Sequence, residues 1–215
     1  MVVLEDLRQS VIDGDMDRTD ALVQRAITED LPVEQILRSG LVSAMAEVGR
    51  MFEAGEFFVP EMLIAARAMK KGLTVLRPRL VAANVQAVGK VIIGTVQGDI
   101  HDIGKNLVGM MLEGAGFDVI DLGTDVSPDK YVQAALLHHP DLVACSALLT
   151  TTMVRMQDVI SALNEAGLRG HIKVMIGGAP ITQEYAAQIG ADMYAPDAAS
   201  AAARARQLIA SGAGY

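Results

Sequence analysis

KVIIGTVQGDIHDIG, residues 90–104, sets an apolar β-branched run directly before a polar turn framed by glycines. The run at 90–96 has the pattern of a strand buried on both faces. Similar short runs recur at 117–121 (FDVID), 141–145 (DLVAC) and 172–177 (IKVMIG), with a weaker one at 192–195. Helical stretches near 104–115, 128–138, 152–166, 181–189 and 197–210 alternate with them. Strand-helix alternation at this spacing predicts right-handed crossovers and a parallel sheet covered on both faces. Five strands fit a flavodoxin-like, Rossmann-like doubly wound domain over 90–215. Its ligand crevice should lie at the carboxyl ends of the strands.

Upstream of Lys90 the period changes. Leu4, Leu7 and Val11 form one helical stripe, Leu37, Leu41, Met45, Val48 and Phe52 a second, and Met62, Ala66, Met69, Leu73 and Leu76 a third. Breaks at Gly14, at Leu31-Pro32 and from Gly55 to Pro60 divide this region into four helices, the last ending near Pro78. Single helices of this length are marginal in water, so the stripes should pack on one another as a four-helix bundle over 1–80. Residues 81–89 carry no period that buries a face and read as a linker. The class is therefore α + α/β.

Composition narrows the function. A formal charge of −8, with no cluster of Lys or Arg, disfavours nucleic acid and anionic membrane as partners. No apolar run approaches the ~20 residues of a membrane span, and the start MVVLEDLRQS lacks a leader's basic region, so a cytoplasmic protein is expected. The lone Cys145, inside the apolar run DLVACSALL, leaves no disulfide framework and no multi-cysteine zinc site. Twelve Met and no Trp describe either an adaptable aliphatic core or a malleable surface for a large ligand.

The crevice rule turns attention to the residues at the carboxyl end of each strand. Beyond the first strand comes GDIHDIG, 98–104, where Gly98 and Gly104 let the chain bend and Asp99 stands two residues before His101. That spacing can aim an imidazole outward with a carboxylate behind it, as for a metal-bound histidine. It equally describes a polar turn in which Asp102 caps the next helix and His101 is merely exposed. After the third strand, Ser146, Thr150, Thr151 and Thr152 cluster. They could hydrogen-bond a polar heterocycle or complete a proton relay, or one threonine could cap a helix. After the fourth, Gly177-Gly178 could leave bare backbone for a bulky group or form a tight turn before Pro180. The glycines at 94, 98 and 104 miss the dinucleotide spacing. His138, His139 and His171 sit at element ends and look incidental.

Taken together, D-x-H-x-x-G (Asp99, His101, Gly104), S-x-L (Ser146, Leu148) and G-G (Gly177, Gly178) resemble the motif set of cobalamin-binding domains. These are domains like those of methionine synthase and of the corrinoid proteins in methyltransferase systems. VPEMLIAARAMKKGL, from Val59, is similar to the family's Met-rich cap helix. The resemblance implies a cobalamin, as methylcobalamin or another corrinoid, bound base-off and His-on. His101 is then the axial ligand to cobalt, Asp99 its partner and Thr152 the third member of the relay. Ser146 and Leu148 would line the channel for the cofactor's tail, with Thr150 nearby and Gly177-Gly178 making room. Gly98, Ile100, Asp102 and Gly104 complete the loop against the corrin. Phe52, Val59 and Met62 would cover its upper face.

The same resemblance implies a methyl carrier working between a substrate:corrinoid methyltransferase and an acceptor methyltransferase using tetrahydrofolate or a thiol, with a reductive activase for oxidised cobalt. Methyl ethers of phenols (O-demethylase systems), methylamines, methanol and betaines are all substrates of similar proteins. A cobalamin-dependent sensor is the alternative. Such regulators usually place a DNA-binding helix-turn-helix ahead of the bundle, whereas this acidic sequence begins in the bundle itself. The cap would have to swing away for methyl transfer, with the hinge expected at 81–89.

Overall fold

The computed structural model describes residues 2–212, which divide into two compact units. The first takes in the chain through Ala87 together with Glu113–Gly116; the second comprises Val88–Leu112 and the chain from Phe117 onward.

The first unit is helical. Helix α1 (Val2–Ile12) buries Leu4, Leu7 and Val11, the expected stripe. Helix α2 (Met16–Thr28) starts at Asp15, whose carboxylate accepts the Arg18 N–H at 2.9 Å. A third rod runs without a break through α3 (Val33–Gln35), a π-helical stretch (Ile36–Val42) and α4 (Ser43–Glu53). The π-helical stretch was not foreseen, and it changes the stripe. Bonding between residues five apart brings Ile36 into line with Leu41; both are wholly buried, while Leu37, expected on that face, is only half-buried. Helix α5 (Val59–Ala82) opens with the Glu61 carboxylate accepting the Phe58 N–H at 3.0 Å. It passes Pro78, where the helix was expected to end, and stops at Ala82. Pro78 lacks only the one N–H that would bond four residues back, and its own φ suits a helix, so the last turn continues. The first residues assigned to the linker are thus helical. Within this core each wholly buried Leu or Met, such as Leu7, Met45, Met69 and Leu76, contributes about 2 kcal/mol.

The second unit alternates strands and helices as expected. Strands β1 (Lys90–Thr95), β2 (Asp118–Asp121), β3 (Leu142–Ser146), β4 (Lys173–Gly177) and β5 (Met193–Ala195) are joined through α6 (Ile103–Gly114), α7 (Pro128–His138), α8 (Thr150–Met153) with α9 (Arg155–Glu165), and α10 (Gln183–Ile189); α11 (Ala198–Gly212) closes the chain. All pairings are parallel and the order is β2-β1-β3-β4-β5, the flavodoxin-like arrangement. Ile92, Val143, Val174 and Ile176 pack with Tyr131, Met156 and Leu163 in one continuous core. β1 and β3 are buried nearly throughout, the reason their sequences read as unbroken apolar runs.

Candidate functional site

The strand register sets the site. Thr95 pairs with Ser146, Ser146 with Gly177 and Gly177 with Ala195, so four strands end level with one another. The loops beyond them open on one side of the sheet, and all four terminal residues are small. β1 leads into the His101 loop. Gly98 turns it at φ +83°, a conformation that favours glycine, and gives its N–H to Asp125 Oδ1 at 2.8 Å.

Asp99 points inward and is 1% exposed. Both carboxylate oxygens are engaged. Oδ1 accepts the His101 backbone N–H at 3.0 Å and meets His101 Nδ1 at 2.7 Å. Oδ2 accepts the Leu148 N–H at 2.8 Å and the Thr152 hydroxyl at 2.7 Å. Burial works against ionisation here, but the Thr152 hydroxyl, the two backbone N–H groups and the imidazole outweigh it and hold the carboxyl well below the usual carboxylate range. An ionised carboxylate only accepts, so the proton between the two side chains belongs to His101 Nδ1. The imidazole is therefore anchored through Nδ1, its side chain is 47% exposed, and in the neutral ring this tautomer places the free lone pair on Nε2. Of the two readings open for this loop, the anchored imidazole describes the geometry. Asp102 contributes by accepting the Asn106 side-chain amide at 3.0 Å.

The threonine cluster resolves in the same way. Helix α8 is capped by Leu149 with no side-chain hydrogen bond, so no threonine serves as its cap, and Thr152 is buried with its hydroxyl on Asp99. Ser146 is half-buried; Leu148 and Thr150 are exposed. Gly177 is half-buried and Gly178 exposed. At φ +136°, a Cβ on Gly178 would lie 1.8 Å from the Ala147 carbonyl oxygen, so the backbone here admits only glycine. Ile100, His101, Asp102 and Gly104 are exposed on the loop, with Ile103 and Leu149 adding apolar surface. The structure thus gathers Gly98, Asp99, Ile100, His101, Asp102, Gly104, Ser146, Leu148, Thr150, Thr152, Gly177 and Gly178 at the carboxyl ends of β1, β3 and β4. Phe52, Val59 and Met62 belong to the helical unit, where Phe52 is half-buried, Val59 is 40% exposed and Met62 is wholly buried.

Some participants were missed in the sequence. The Thr95 hydroxyl donates to the His101 carbonyl at 2.9 Å, and Asp125 gives its own N–H to the Asp99 carbonyl at 2.9 Å. Lys105, 2% exposed, lies in the first turn of α6 with its ammonium on Asp121. Its signal was a charge seven residues before the buried Leu112, on the stripe α6 turns inward.

These residues fit a corrinoid. A cobalt-bound imidazole would need a free nitrogen on a fixed ring, and the neutral His101 ring, held through Nδ1, would supply one. Among the described residues no group of three or more His, Cys, Asp and Glu could hold a metal by itself, and no helix is long and apolar enough to cross a membrane.

Comparison with known proteins agrees. A family model described as a B12 binding domain matches residues 89–204, and a second of the same description matches residues 3–77. A corrinoid protein of Desulfitobacterium hafniense (strain Y51) is 42% identical over 212 residues, covering 97% of this chain and 98% of its own. Dimethylamine corrinoid protein 1 of Methanosarcina acetivorans is 43% identical over 209 residues, covering 97% of this chain and 98% of its own. Among solved structures, a chain of the methanol:cobalamin methyltransferase complex MtaBC from Methanosarcina barkeri superposes with a TM-score of 0.87 at 29% identity, over 97% of this chain and 80% of that one. With a buried Asp99 holding an exposed His101 at the mouth of a 2-1-3-4-5 sheet, and with both units matched by B12 binding models and by near-full-length relatives, this chain belongs to the B12-binding family, among the corrinoid proteins of methyltransferase systems.

Proposed function

We propose that the chain is a cytoplasmic methyl carrier that binds its corrinoid base-off and His-on, serving one methyltransferase that loads the methyl group and another that removes it. The observation that carries this reading is the His101 ring, tied through Nδ1 to a buried carboxylate and offering Nε2 at the mouth of the sheet. The bound corrinoid supplies a cobalt that accepts and releases a methyl group. The protein's part is to hold one imidazole in one tautomer at one place. Asp99 keeps the proton on Nδ1 and remains ionised, and Thr152 and Leu148 keep Asp99 from turning. Ser146, Gly177 and Gly178 leave room at the strand ends for the cofactor's tail, and Leu148, Thr150 and Ile100 flank the entrance. On the helical unit, Phe52 and Val59 would cover the corrin and exclude water, and Met62, wholly buried there, would support that cover from within its own unit. The segment after Ala82, up to Lys90, is the hinge that lets this cover withdraw.

A relative named for dimethylamine matches this chain over 97% of its length, and a chain of the methanol:cobalamin methyltransferase complex superposes on it, so we assign the choice of methyl donor to the partner methyltransferase. Tetrahydrofolate or a thiol is the acceptor, and a reductive activase restores oxidised cofactor. The test is a visible-spectrum titration of the apoprotein with hydroxocobalamin beside His101→Ala, followed by desalting. A stoichiometric complex whose spectrum changes in His101→Ala, and whose methylated form gives its methyl to an acceptor methyltransferase, bears the proposal out. No retained cofactor, or a methylated form inert toward every acceptor enzyme, overturns it.

A further inference from the structure

Lys105 is a charged side chain that the methyl-carrier reading does not use. It is 2% exposed, in the first turn of α6, four residues beyond His101. Its Nζ donates to Asp121 Oδ2 at the end of β2 and to Asn106 Oδ1 at 2.7 Å. Asn106 in turn gives its side-chain N–H to Asp102 Oδ2 at 3.0 Å and its backbone N–H to the Asp102 carbonyl at 2.7 Å. On the other side, Asp121 Oδ1 accepts the Gly123 N–H at 2.9 Å, and the Gly123 carbonyl accepts the Thr95 N–H at 3.0 Å. The Thr95 hydroxyl closes the ring on the His101 carbonyl at 2.9 Å. The path Thr95–Gly123–Asp121–Lys105–Asn106–Asp102 therefore leaves the His101 backbone on one side and returns to its neighbour on the other.

Stability does not explain a buried ammonium. An apolar side chain of the same length would fill the site without losing hydration, whereas this ammonium gives up its hydration for a carboxylate that is itself 48% exposed, a pair that adds little net stability. What an ion pair adds is direction, since an ammonium between two fixed oxygens sets where its helix starts relative to the strand. Asp99 fixes the imidazole ring; the Lys105 ring of bonds fixes the backbone that carries it.

We propose that Lys105, through Asp121 and Asn106, is a positioning residue for His101, holding the loop at the distance from which Nε2 ligates cobalt. The proposal rests on the His-on reading above. Its test uses the full chain loaded with cobalamin and reduced to the cobalt(II) state, where an axial nitrogen splits the electron paramagnetic resonance lines. Lys105→Met, Asp121→Asn and Asn106→Ala are compared with wild type and with His101→Ala. The expected result is a fall of about tenfold in the ratio of nitrogen-ligated to unligated cobalt in the folded protein, the size typical when a group behind a metal ligand is lost. Cofactor would still be retained on desalting. Asn106→Ala breaks the ring while leaving the Lys105 ammonium its Asp121 carboxylate, so it decides the matter should Lys105→Met or Asp121→Asn fail to fold. A purely structural role would lower the melting temperature and leave the ratio unchanged, and that outcome overturns the proposal while His101→Ala still abolishes the splitting. If His101→Ala itself leaves the splitting intact, the His-on reading falls and this inference with it.

Discussion

The two units bury polar side chains for different reasons. In the helical unit, among the described residues, these are Ser10 and Thr19, which bond to one another at 2.9 Å and to backbone carbonyls close by in the chain. In the sheet unit they are Thr95, Asp99, Lys105 and Thr152, and every one belongs to the bonding around the His101 loop. The helical pair satisfies itself; the sheet set converges on a side chain that is exposed. Buried polarity that ends at an exposed group is what sets the proposed cofactor site apart from the helical unit.

The sharpest way to break that contrast is to damage both units and ask which loses cofactor. Leu7→Ala, in the wholly buried stripe of α1, should cost about 3 kcal/mol of stability by leaving a cavity, while protein that remains folded still binds corrinoid. Gly178→Ala should cost a similar amount, about 3 kcal/mol from backbone strain and collision with the Ala147 carbonyl, and should also abolish cofactor retention. Chemical denaturation and desalting of the loaded variants read both. Asp99→Asn should cost about 2 kcal/mol because donors arranged for a carboxylate lose half their acceptor, and it should weaken corrinoid binding by about 10-fold or more. Ser10→Ala, the matched change in the helical unit, should cost about 1 kcal/mol and leave corrinoid affinity unchanged. Equal cofactor loss in Asp99→Asn and Ser10→Ala would remove the distinction between the units.

A smaller effect comes from the core beneath the site. Burial pushes the Cys145 thiol up to about 12, against the weaker opposing influence of the Tyr131 hydroxyl, and burial also raises Tyr131 well above the usual phenol value. Both groups hold their protons more tightly folded than unfolded. The Cys145 contribution is complete below pH 9 and is lost as pH rises from 9 toward about 12, and that of Tyr131 is lost only at still more alkaline pH than an ordinary phenol would set. Melting temperatures should therefore fall across that alkaline window, and less steeply in Cys145→Ala. Native Cys145 should resist alkylation at about pH 8.5 and react once the protein is unfolded.

How much of the molecule was legible in its sequence depended on whether a feature is local. The parallel sheet and its flavodoxin-like class could be read because runs such as KVIIGTV and DLVAC are largely apolar and alternate with helices. The Asp99–His101 pairing could be read because two residues of spacing suffice to bring carboxylate and ring together. The α5 terminus was misplaced because Pro78 falls so near the end that one lost hydrogen bond does not stop the helix. The π-helical stretch at Ile36–Val42 has no simple signature; Ile36 and Leu37 are both apolar, and tertiary packing chose between them. Thr152 stood in a cluster of four hydroxyls, and the bare spacing could not tell which one reaches a carboxylate 53 residues away in the chain. Lys105 was passed over because a lysine near a helix start is usually solvated, and only the fold supplies Asp121 from the next strand.

The most direct test of the central claim is the electron paramagnetic resonance spectrum of the cobalt(II) protein, prepared with ordinary histidine and with histidine labelled with nitrogen-15. Ligation by His101 predicts a three-line nitrogen splitting that becomes two-line on labelling and disappears in His101→Ala. A splitting that ignores the label, or that persists in His101→Ala, would contradict it.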